Sequence, residues 1–286
     1  MFEPTKLLAE KGFFLTEPLY SENTIEKWNK LLDSSHKSQE GIEKCYVDSA
    51  KLYELGILSD IFNERLKSLL SILMPTAVLY HCHYYEIIGG QTRSHIHWGK
   101  NLGWHRDEEC RFDYTPNYAN HISMFIYLTD VNEKSGPFEI RTKPPFSFLQ
   151  PGEKTLKVVG EKGTLFFFNR FFLHRACPNY SPIHRRVIKF SFQPRHLKNN
   201  RIHLEEFSKL RNYTAGQDEF INYLADINHS AESLLEIINK SNIGLDYPKA
   251  YIPKFNSSME IGLKYITRYN LSRLMNKLKA NKNSSN

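Results

Sequence analysis

The chain is predicted to be mainly β with helices (α+β): a double-stranded β-helix core of the jelly-roll or cupin-like type, with N-terminal helices packed outside it and a C-terminal helical extension. Three observations predict this. Between residues 78 and 192, short segments rich in β-branched and aromatic residues recur between turn residues. On either side of that stretch the apolar spacing switches to the helical period. A histidine-carboxylate pair at 105–107 and a histidine far along the chain also call for a closed sheet to bring them together.

The elements follow in order. Ser21 or Asn23 caps a helix in which Ile25, Trp28, Leu31 and Leu32 form an apolar stripe. A second helix runs from Ile57 to Leu73 and is stopped by Pro75. Val78 to Ile88 is a strand ended by Gly89-Gly90, on which His81, His83 and Tyr85 share one face. That trio suits either a core hydrogen-bond network or contacts to a bound molecule. Residues 90–103, with Arg93, His95, His97 and Trp98, and residues 113–118 are too polar for core strands and read as rim segments. His121–Leu128, Thr155–Val159, Gly163–Phe168 and Arg185–Phe192 complete the strand pattern, with a loop at 144–152. From about Arg195 the pattern is helical over Leu204–Leu210, Glu219–Leu224 and Ala231–Ile238, and Met259–Lys282 reads as a basic amphipathic helix. The expected domains are therefore 1–195 for the jelly roll and 196–286 for the helical extension.

Composition narrows the classes. A chain of 286 residues with 41% hydrophobic and 13% aromatic content can bury a sizeable core. It has no run of about 18 apolar residues and opens without the layout of a secretory signal, so a soluble, cytoplasmic protein is expected. The four cysteines, Cys45, Cys82, Cys110 and Cys177, lack CxxC spacing and suggest neither a zinc knuckle nor a disulfide framework. A net charge of +7 favours anionic partners, but no basic patch interleaved with aromatics marks a nucleic-acid module. The 259–282 helix suits docking on the core with a solvated basic face better than peripheral membrane contact.

His105, Asp107 and His174 read as one metal site. Two imidazoles and a carboxylate suit non-haem iron(II) with open positions for oxygen chemistry. His105 and Asp107 project to one side of an extended segment because strand side chains alternate with period two. His174 lies 67 residues beyond Asp107, where an apolar strand and a polar-aromatic turn lead into it. Eleven residues later comes Arg185, a planar cation suited to gripping a carboxylate. Its register is open. If Arg185 points inward, Val187, Lys189 and Ser191 share its face; if Arg186 does, Ile188, Phe190 and Phe192 share it. Alternation favours Arg186, spacing favours Arg185, and Arg185 is preferred.

Several stretches together resemble the phytanoyl-CoA dioxygenase-like branch of the iron(II)/2-oxoglutarate oxygenases. These are Gly12-Phe13-Phe14-Leu15 before an amphipathic helix, Gly103-Trp104-His105-Arg106-Asp107, Ile126–Asp130 with Ser135-Gly136-Pro137-Phe138, and Gly163–His174 followed by Pro178-Asn179 and Arg185. The resemblance spans about residues 10–195. It implies that His105, Asp107 and His174 hold Fe(II), that Arg185 binds the distal carboxylate of 2-oxoglutarate, and that His83 and Tyr85 line the site. It further implies O2-dependent hydroxylation of a small-molecule, carrier-, lipid- or glycan-linked substrate, with release of succinate and CO2. Glu139–Pro145 departs from the family's pattern and is expected as a loop bordering the substrate; Ala176 and Thr164 depart without touching a ligand. The rival readings are a metal-dependent cupin-type isomerase or hydrolase, and a non-catalytic jelly-roll binding module.

Overall fold

The computed structural model describes residues 3–35, 46–93, 102–107, 119–142, 155–197 and 204–253. Helix α1 (Glu3–Glu10) precedes β1 (Phe13–Thr16), and α2 (Glu22–Ser35) begins where Ser21 Oγ accepts the Thr24 N–H at 3.2 Å. Ile25, Trp28 and Leu32 of α2 are buried, as the stripe predicts. The single helix expected over 57–73 is instead two, α4 (Ile57–Ile61) and α5 (Glu64–Leu73). The break has a local cause: Asn63 is extended and its side chain accepts the Leu66 N–H, so it caps a new helix. Short α3 (Ser49–Glu54) follows β2 (Tyr46–Asp48).

Seven strands form one antiparallel sheet in the order β10-β1-β7-β4-β9-β3-β2, and three form a second in the order β6-β5-β8. In chain order these are β3 (Ala77–Ile87), β4 (Ile122–Tyr127), β5 (Phe138–Arg141), β6 (Thr155–Val158), β7 (Leu165–Asn169), β8 (His174–Ala176), β9 (Arg185–Pro194) and β10 (Ala250–Tyr251). The large sheet is buried on both faces. One face, with Met124, Ile126, Phe167, Ile188, Phe190 and Phe192, packs on the helices. The other, with Phe125, Tyr127, Phe166, Phe168 and Val187, meets Phe138, Ile140, Val158 and Ala176 of the small sheet. Two sheets enclosing an aromatic interior are the expected jelly roll.

The segment 139–141, expected as loop bordering substrate, is strand β5, and Glu139 is fully buried. A glutamate inside a strand gives no strand signal in sequence, because its burial depends on a partner from another strand. Helices α6 (Leu204–Thr214), α7 (Glu219–Ala225) and α8 (Leu234–Lys240) contribute Phe207, Leu210, Ile221, Leu224 and Ile238 to the same core as the sheet's helix-facing side. Strand β10 then pairs with β1. The helical region up to Tyr251 is thus fused to the jelly roll. Among the described residues no helix is long and apolar enough to cross a membrane. The basic stretch 259–282, the rim residues His95, His97, Trp98 and 113–118, the loop 144–152, and Cys45 and Cys110 lie outside the described residues.

Candidate metal centre

His105 and His174 face each other as an isolated antiparallel pair, exchanging both backbone hydrogen bonds at 3.0 Å. A directly opposed pair projects both side chains to the same side, and their rings lie 4.5 Å apart between centroids. Asp107, two residues on, turns back toward them. Its Oδ1 lies 4.0 Å from His105 Nε2 and its Oδ2 3.6 Å from His174 Nε2. One ligand atom from each residue falls within 4.8 Å of the others, the one such cluster of three among the described residues. The ligand segment 105–107 is held by this single bridge rather than lying in the strand ladder that alternation suggests.

The histidine tautomers follow from geometry. His105 Nδ1 is 2.7 Å from Gly103 O, and His174 Nδ1 is 2.9 Å from Phe172 O. A carbonyl only accepts, so each Nδ1 carries the proton and each Nε2 presents a lone pair to the cluster. This donor arrangement fits a divalent first-row metal, because the second ring nitrogen of a ligating histidine is characteristically fixed in this way. Gly12 supports it indirectly. At φ of +85° it accommodates the left-handed turn, and a Cβ there would fall inside the Phe172 ring, whose carbonyl orients His174.

Burial, together with the neighbouring His105, holds the His174 imidazole well below its ordinary value of 6.5. An unfolded chain therefore binds more protons than the folded one once pH falls below about 6.5. Stability from this group is fully present above that pH and is lost on acidification. We expect the metal-free protein to melt at progressively lower temperature from pH 6.5 to 5.0, and His174→Gln to flatten that slope in thermal denaturation.

Two arginines buttress the ligands, and sequence reasoning assigned neither a role. Arg170, 3% exposed, donates from Nε to Asp107 Oδ2 at 2.5 Å, with its guanidinium 5.0 Å from the Tyr80 ring. Tyr80 stands at the register shift between Leu79 and His81, and this bulge adds the residue that supports Arg170. The signal for Arg170 was its place within Phe-Phe-Phe-Asn-Arg-Phe-Phe, where an apolar run tolerates a cation only beside a partner. Arg175 donates from Nε to Glu139 Oε2 at 2.7 Å and from Nη1 to Leu102 O at 2.9 Å, and lies 4.8 Å over the Trp104 ring. It thereby clamps the segment leading into His105. Cys177 donates to the same carboxylate at 3.3 Å, and burial pushes its thiol up to about 12. It is a structural thiol.

Arg185 and Arg186 take opposite sides of β9. Arg186 turns outward to Asp33 at 2.6 Å, Glu86 at 3.1 Å and Asn29 at 3.3 Å, bracing α2. Arg185 points into the interior beside Val187, is 1% exposed, and donates through Nη1 to Gly136 O. Its Nε and Nη2 are buried with no hydrogen-bond partner among the described residues. Alternation misleads here because the apolar side of β9 packs on helices and the polar side lines the interior. The interior face of β3 carries His81, His83 and Tyr85, with His83 4.2 Å from the His81 ring and 5.3 Å from the Tyr85 ring. Burial raises the Tyr85 hydroxyl, and the Arg185 guanidinium, diagonal to it on β9, moderates the rise by its charge and by a side-chain hydrogen bond. Phe138 and Phe168, with ring centroids 5.5 Å and 5.0 Å from His174, pack against the buried ligand from the interior.

No protein-family model matches the chain, and no curated protein sequence matches it. Solved structures do resemble it in fold. HygX from Streptomyces hygroscopicus with nickel and 2-oxoglutarate bound superposes with a TM-score of 0.53 at 13% identity, covering 69% of this chain and 89% of that one. EctD from S. alaskensis with 2-oxoglutarate and 5-hydroxyectoine gives 0.51 at 15% identity, covering 68% and 76%. At such identities the likeness speaks for the jelly-roll fold.

Proposed function

We propose that the chain is an iron(II)- and 2-oxoglutarate-dependent oxygenase of the phytanoyl-CoA dioxygenase-like type. It hydroxylates a small-molecule or carrier-, lipid- or glycan-linked substrate and releases succinate and CO2. The observation that carries this reading is Arg185, a buried guanidinium that meets no carboxylate among the described residues and faces the same interior as the two-histidine, one-carboxylate cluster. An unpaired buried cation is costly, and a bound carboxylate removes that cost. HygX and EctD, similar in fold, were solved with 2-oxoglutarate, which supports the same reading.

His105 and His174 would hold the ion through Nε2, and Asp107 through a carboxylate oxygen. When bound, iron(II) with 2-oxoglutarate and O2 supplies the oxidising chemistry. The protein's own residues supply the orientation. Gly103 O and Phe172 O fix the imidazoles and Arg170 fixes the carboxylate rotamer, and Arg185 would hold the far carboxylate of the cosubstrate. Phe125, Phe138, Phe166 and Phe168 form an apolar interior on the side of His174. A carboxylate at 107 leaves no ligand position for halide, which favours hydroxylation or desaturation over halogenation.

The test is anaerobic titration of iron(II) into the metal-free protein with 2-oxoglutarate. A weak visible charge-transfer band from a chelated cosubstrate supports the oxygenase; iron binding without the band favours a metal-dependent cupin of another kind. In the same assay Arg170→Met is expected to weaken iron(II) binding by roughly 10- to 100-fold, the range for loss of a group that orients a metal ligand. Competition against a chelator measures it, and unaltered affinity would show that Asp107 is held by other means.

A further inference from the structure

Lys189 lies on β9, which is flanked by β4 and β3 near the middle of the seven-stranded sheet. It is half-buried on the interior face, directly opposite His83 on one neighbouring strand and Phe125 on the other. Its ammonium sits 5.8 Å from the Phe125 ring centroid. Around it the interior changes character. Toward Arg185 the wall is aromatic, whereas beside Lys189 it carries His81, His83 and the Ser123–Ser191 hydroxyl pair at 2.9 Å. The Phe125 ring lies 5.3 Å from that of Phe168, which lies 5.0 Å from the His174 ring, so Lys189 stands on the wall that leads to the metal centre.

Lys189 is not a second grip on the cosubstrate's far end. Four residues along a strand separate its Cα from that of Arg185 by about 13 Å, and the two cations serve different points on one wall. A half-buried lysine on the sheet's inner face, on the same wall as Arg185 and among groups that donate and accept hydrogen bonds, offers a positive contact to a molecule bound in that interior. We propose that Lys189 anchors a carboxylate or phosphate of the prime substrate, so that the enzyme acts on an acidic molecule. This rests on the oxygenase reading above, and deepens it.

The test uses full-length protein loaded with cobalt(II) or zinc(II) and saturated with 2-oxoglutarate. The probes are phenyl phosphate, benzoate, benzamide and benzylamine, followed by proton relaxation. High-spin cobalt relaxes only probes close to it, so binding to the basic exterior stays silent. The expected result is cobalt-dependent relaxation of the two anions at concentrations at least about tenfold below those needed for benzamide, a contrast typical of one charge-assisted contact. Lys189→Gln should erase the contrast, Lys189→Arg keep it, and Lys189→Glu transfer it to benzylamine, while 2-oxoglutarate affinity stays within about twofold. Preference for phosphate over benzoate, or the reverse, identifies the kind of acid. No anion preference in the wild type, or a preference that survives Lys189→Gln, overturns the assignment. Loss of 2-oxoglutarate affinity in Lys189→Gln overturns it too, by making Lys189 part of the cosubstrate site. A wild type that binds no 2-oxoglutarate overturns the oxygenase reading itself, and the substrate assignment with it.

Discussion

Asp107→Ala is expected to abolish the charge-transfer band and bring 2-oxoglutarate turnover below detection, a larger loss of activity than replacement of Arg170 or Lys189 should cause. Three ligand side chains converge in this cluster, and removing the carboxylate leaves two neutral imidazoles with no anion to offset a divalent ion. Stability is affected as well. Arg170 donates to Asp107 from a buried position, so alanine leaves a shielded cation without its carboxylate. That loss costs on the order of 1–3 kcal/mol, as for other buried donors deprived of their acceptor. Asp107→Asn keeps an acceptor for Arg170 and should melt closer to wild type while still losing turnover. Wild-type succinate production by both variants would refute the ligand assignment.

Arg185→Met is expected to raise the dissociation constant for 2-oxoglutarate on the order of 100-fold, with iron(II) affinity nearly unchanged. Charge-assisted hydrogen bonds are each worth about 1.5–3 kcal/mol, and about 1.4 kcal/mol corresponds to a factor of ten. Replacing a buried cation that meets no carboxylate among the described residues by an apolar side chain should leave the ligand-free protein no less stable than wild type. Arg186→Met should do the opposite. It sacrifices the contacts to Asp33, Glu86 and Asn29 that brace α2, and lowers melting temperature without altering cosubstrate affinity. Isothermal titration and thermal melts on the two variants separate these roles. A cosubstrate defect in Arg186→Met alone would move the assignment by one residue.

The helix in 57–73 illustrates how far local signals reach. Its apolar period was legible and its two ends were correct, but the break at Asn63 turned on one side chain choosing a cap over a helical position. The arginine register illustrates where they stop. Alternation along β9 reports polarity but cannot say which of two buried faces is the protein's interior, because the helix layer and the second sheet are both absent from a local window. Glu139 shows the same limit from the other side: it reads as loop until Arg175, Thr155 and Cys177 surround it.

Sequence alone determined the jelly-roll class, most strand positions, and the residue types offered for a metal, because period-two alternation, turn residues and a His-x-Asp spacing are local properties. Only the tertiary structure decided that His105 and His174 are bridged partners, that Arg170 grips Asp107, that Arg185 and not Arg186 faces the interior, and that Lys189 shares that face. Each of those facts joins residues on different strands or turns. Which groups meet there is set by how two sheets close over one another, and by the cost of burying a charge away from its partner.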